Sequence, residues 1–128
     1  MSIDLKLLIW SVALALLQMI VAVIGAQMQV GLPPLAGNRE NLPAMLGWAG
    51  RAQRAHRNML ESIVVFAILV LVANATGKAN AMTALGAELF FWSRLAYALI
   101  YLIGIPWVRT AAWGVSLVGL LLIFVQLI

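Results

Sequence analysis

Between Leu5 and Met28 the chain carries one charge, Lys6, in an otherwise almost unbroken apolar run. A stretch of that length and character has one stable solution, a helix spanning a bilayer. The whole chain repeats the message. Of 128 residues, 65% are hydrophobic and 9% charged, and the mean hydropathy is +1.06. No water-soluble fold of this size hides so much apolar surface, so the chain reads as an all-α integral membrane protein, a single domain of about four transmembrane helices. The run does not read as a cleaved leader. Asp4 and Lys6 both precede its core, and no small-x-small site follows it. Without cysteine there are no disulfides, thiolate metal sites or protein thiol nucleophile. The formal charge of +4 is spread among apolar helices, which argues for topology and a small anion rather than nucleic acid.

The first helix is expected over 5–28, with Gln18 near its middle bonding a neighbouring helix. Val30 to Asn41 reads as the one long loop, because its glycines and Pro33-Pro34 forbid a continuing helix. Asn41 is the expected cap of a second helix over 43–75, with Pro43 in its first turn and Gly77 beyond its end. That helix would be about 48 Å long, more than a bilayer needs, with its surplus at the start. A third helix is expected over 80–103, capped by Asn80 and stopped by Gly104 and Pro106. A fourth runs over 108–127.

The second segment carries the polar chemistry. Arg51-Ala-Gln-Arg54-Ala-His56-Arg57-Asn58-Met-Leu-Glu61 leads straight into the apolar run Ser62–Ala73. At 100° per residue, Arg51, Arg54, Asn58 and Glu61 fall on one stripe with Arg57 beside it. In the third segment Arg94, Tyr97 and Tyr101 form another. Charges at the edge of a membrane helix face protein or a watery cavity, so these stripes are the default functional site. Glu61 and Arg94 lie at matched depths and are expected to pair, since either alone is costly in lipid. Above them Arg51, Arg54, His56, Arg57 and Asn58 would meet Tyr97, Tyr101 and Arg109. The resulting cationic pocket suits a small polyanion with carboxylates, which guanidinium grips in a bidentate fork. With Arg39, Arg51, Arg54, Arg57 and Arg109 on one side and Lys6 and Lys78 on the other, the charge bias puts both termini outside the cytoplasm. Trp48 and Trp107 would then lie in the cytoplasmic interfacial belt.

Arg54-Ala-His-Arg-Asn58-Met-Leu-Glu61 resembles the helix-II signature of the membrane-associated proteins in eicosanoid and glutathione metabolism, the MAPEG family, in a prokaryotic-type member. Arg94-x-x-Tyr97-x-x-x-Tyr101, a basic residue near the third turn, the chain length and the proline-bearing first loop extend the resemblance over essentially the whole chain. It implies a homotrimer in the inner or plasma membrane, if the source is bacterial. It also implies glutathione as co-substrate, held between helices II and III of neighbouring subunits, and a lipophilic second substrate arriving from the membrane lipids. On matching positions, Arg51, Arg54, His56, Arg57, Asn58, Glu61, Arg94, Tyr97 and Tyr101 would hold glutathione. Arg109 would stabilise its thiolate as the catalytic residue. The implied activity is that of a glutathione transferase or peroxidase. Two departures accompany the match. Ser62 stands where several relatives place tyrosine, and the spacing from Arg94 to Arg109 is shifted by about a residue.

Two other classes compete: a non-catalytic lipid-binding or scaffold protein of the same fold, and a small four-helix multidrug exporter. The exporter needs a carboxylate within its first helix, which this chain lacks after Asp4. Glu88, the other membrane-depth acid, reads as structural or interfacial. One histidine and scattered acids make no metal ligand set.

Overall fold

The computed structural model describes residues 1–40 and 42–128. The expected cap Asn41 lies outside the described residues. The chain forms α1 (Ile3–Val30), α2 (Leu32–Ala36), α3 (Gly47–Ala75), α4 (Ala81–Ile103) and α5 (Pro106–Leu127), with no strand among the described residues. All but α2 are long and apolar enough to cross a membrane. The protein is an integral, multi-pass, all-helical membrane protein.

Helix ends follow local chemistry. Ser2 caps α1 by accepting from the Leu5 amide at 3.3 Å. Helix α1 ends at Val30 on Gly31, φ 79°, and Pro33 and Pro34, expected to keep this stretch a loop, sit instead in the first turn of the short α2, where proline is tolerated because no N–H is required. The expected start of the next helix at Pro43 is too early. Helix α3 begins at Gly47, and the residue before it is held from α1. The Gln29 amide donates to the Leu46 carbonyl at 2.6 Å and accepts from the Leu46 N–H at 3.0 Å. That two-way clamp satisfies the backbone just ahead of α3, where no side chain of the helix itself acts as a cap. Helix α4 opens with a capping box: Asn80 accepts from the Thr83 amide and Thr83 Oγ1 accepts from the Asn80 amide. Gly104 ends it in the left-handed region, φ 91°. Helix α5 starts at Pro106, two residues earlier than expected, with proline again in the first turn.

The bundle is two tightly packed pairs, α1 with α3 and α4 with α5, joined by α3 and α1 against α4. Between α4 and α5 the backbones touch. A β-carbon placed on Gly86 would lie 2.5 Å from the Gly119 carbonyl oxygen, so only glycine fits. Between α3 and α4, Phe66 stacks on Phe90 with centroids 4.1 Å apart, inside a core that includes Met59, Val70, Ala87 and Ile123.

At the end of the bundle away from the arginines, Asp4 is 3% exposed. Its Oδ2 lies 3.1 Å from the Thr83 hydroxyl and 3.5 Å from the Asn74 amide, which accepts in turn from the Ser2 hydroxyl at 2.9 Å. This knot ties the start of α1 to the α3–α4 connection, fixing the helices whose opposite ends carry the arginines.

Candidate functional site

Helix α3 turns its arginine stripe toward the C-terminal half of α4. Arg51 Nε donates to the Leu102 carbonyl at 3.0 Å, one of the last-turn carbonyls a helix leaves unpaired. One turn on, Arg54 Nε donates to the Tyr101 hydroxyl at 3.2 Å. The i, i+4 spacing stacks Tyr97 and Tyr101 edge to face, with centroids 5.5 Å apart. Each ring carries a further guanidinium on its face. Arg94 lies 4.2 Å from the Tyr97 centroid, and Arg109, swung in from α5, lies 4.4 Å from the Tyr101 centroid. Four side chains thus form a column, Arg94–Tyr97–Tyr101–Arg109, with Arg54 on its flank.

Beside the column is an open cavity of about 290 Å³ lined by Asn58, Tyr97, Tyr101, Arg109, Thr110 and Trp113. Thr110 and Trp113 escaped the sequence reading. The signal was present for Trp113, which follows Arg109 by four residues and so shares its helical face once α5 begins at Pro106, and Thr110 lies three residues before Trp113. The cavity has unmet polar demand. Asn58 Oδ1, at its wall, is buried without a partner among the described residues; beyond the cavity lining, so are all three guanidinium nitrogens of Arg94, a residue 1% exposed. The idle amide oxygen beside Arg109 suits a ligand that carries both a donor and an anionic group, and the enclosed Arg94 guanidinium on the Tyr97 face suits bound water.

The remaining expected members do not line the cavity. Glu61 does not pair with Arg94: it is exposed, and the Arg94 nitrogens have no partner among the described residues. The cause is angular. Helix α3 packs through Met59 and Phe66, and Glu61, on the same stripe as Arg54 and Asn58, stands about 160° and 140° from those positions, outside the buried face. His56 is likewise absent from the column. About 200° from Arg54, it faces α1 and α2, where with Gln27, Arg39 and Gln53 it lines a separate cavity of about 530 Å³. Arg57 is exposed and does not line the tyrosine cavity. Ser62 turns its hydroxyl back onto the carbonyls of Asn58 and Met59 at 3.2 and 3.1 Å. Glu88 accepts from the Trp92 indole at 2.8 Å, within α4 and away from the cavity.

Chemically, the cavity combines fixed positive charge, two phenols and an amide at the edge of a membrane span. It can hold a small anion and depress the pKa of an acidic group placed beside Arg109.

The chain matches no curated protein and no solved structure. The sequence model of the MAPEG family matches residues 7–128, nearly the whole chain. The protein belongs to the MAPEG family.

Proposed function

We propose that the protein is a glutathione-dependent membrane transferase or peroxidase that activates the glutathione thiol against lipophilic electrophiles. The observation that carries this reading is the position of Arg109. Its guanidinium is stacked on Tyr101 at the wall of a cavity that also exposes Tyr97 and Asn58. Arg54, hydrogen-bonded to the same tyrosine, stands ready to fork a carboxylate. The unpartnered Asn58 oxygen suits a peptide N–H.

A free thiol with a pKa of about 8.5 is mostly protonated at neutral pH, and an adjacent cation raises the thiolate fraction. In this reading Arg109 stabilises the thiolate while the proton leaves to solvent through the open side of the cavity. In conjugation, the sulfur then forms a bond to an electrophilic carbon arriving from the lipid, and the leaving group departs with the electron pair. Family membership supports glutathione chemistry as a class, and the choice between conjugation and peroxide reduction rests on the second substrate.

The exposed Glu61 supports a homotrimer. A carboxylate on a spanning helix with no partner among the described residues calls for one from a neighbour. The arginine concentration at one end supports placing that end in the cytoplasm and both termini outside it. Calorimetric titration of glutathione into the protein in lipid nanodiscs tests the core of the proposal. Binding weakened by Arg54→Ala supports it, and no binding by the parent protein contradicts it.

A further inference from the structure

Gln18 sits midway along α1 and is 9% exposed, and its side-chain oxygen is enclosed with no hydrogen-bond partner among the described residues. The expected bond from a neighbouring helix to that oxygen is not made. Gln18 lines a crevice of about 90 Å³ between α1, α3 and α4, and is its sole polar residue. The walls include Leu14, Ala55, Leu95 and Ala98, while the exposed Leu17 and Leu99 form a mouth toward lipid.

Two ordinary occupants fit poorly. A buried water needs two to four polar partners, and this crevice supplies one residue. A lipid tail fills the space but leaves the oxygen unpaired, which is costly away from water. What satisfies both walls and oxygen is a compact apolar body bearing one donor. The geometry points to a second binding site, for small lipophilic hydroxyl compounds of the phenol or alcohol class, reached from the bilayer between Leu17 and Leu99. It lies apart from the tyrosine cavity and does not rest on the glutathione reading. Ala55 connects the two, lining the crevice and packing with Tyr97 and Tyr101.

The test uses a matched pair, 4-fluorophenol and 4-fluorotoluene, which differ in shape only by hydroxyl against methyl. Fluorine NMR titrations compare the protein in lipid nanodiscs with empty nanodiscs. The expected result is a saturable protein-dependent signal for the phenol, and binding of the toluene weaker by about tenfold. Gln18→Leu should remove that preference while apolar binding persists. Ala98→Leu, which fills the crevice, should remove the saturable signal for both. Leu17→Trp blocks the mouth from its exposed side, so it provides the same result without disturbing the helix contacts. No saturable signal, equal affinity for the two compounds, or a preference that survives Gln18→Leu would overturn the proposal.

Discussion

The guanidinium carbon of Arg109 lies 4.4 Å from the ring centroid of Tyr101, across the turn between α4 and α5. That contact depends on where α5 begins. With Pro106 in its first turn, Arg109 is already helical, and its amide bonds the Ile105 carbonyl at 3.3 Å. The arginine is thereby aimed at the cavity instead of being left in a loose connection.

Arg109→Ala is expected to leave glutathione affinity within a few fold, because the carboxylate grip of Arg54 persists. Turnover should fall about 100-fold, the usual cost of losing one preorganised electrostatic group. Steady-state kinetics with a lipophilic electrophile checks this. Full retained activity would reduce Arg109 to a topology determinant.

Arg54→Ala should act in the opposite order, raising KM and the glutathione Kd first. A bidentate contact present in both ground and transition state is lost equally from each. Tyr101→Phe, which deletes only the acceptor of the Arg54 hydrogen bond, should show a weaker version of the same pattern.

Arg94→Met tests the absence of the expected ion pair. An enclosed guanidinium without partners is a burden on the folded chain, so its replacement should leave the Tm in detergent unchanged or raise it. Combined with Glu61→Gln, the two effects should add within about 0.5 kcal/mol, the behaviour of sites that do not interact. A large coupling in the double-mutant cycle would show that the two meet.

At the other end, Asp4→Ala should destabilise the bundle by about 1–3 kcal/mol. It leaves the Thr83 hydroxyl and the Asn74 amide without their buried acceptor. Chemical unfolding in detergent measures the loss, and an unchanged midpoint would mean that the knot contributes nothing.

These residues also mark how far the sequence could be read. Composition and the lengths of the apolar runs were enough for an all-helical membrane protein, since backbone satisfaction in lipid leaves few alternatives. The helix-II signature was enough for the family. Helical arithmetic stacks Tyr97 on Tyr101, but it does not say which stripe of α3 faces α4. That depends on Met59, Phe66 and Phe90 packing together, a tertiary choice that leaves the Arg54–Glu61 stripe at the margin of the buried face and turns His56 toward α1. The start of α3 was hidden because Gln29, on another helix, holds Leu46. Asp4 looked like a flanking charge, and its burial requires Ser2, Asn74 and Thr83 to converge from separate segments.

The most direct test of thiol activation is a pH titration of thiolate absorbance for glutathione bound to the protein in nanodiscs. The account predicts a bound thiol ionised well below its free value, with most of that shift lost in Arg109→Ala. A bound thiol that titrates like free glutathione, or a shift that survives the substitution intact, would contradict it.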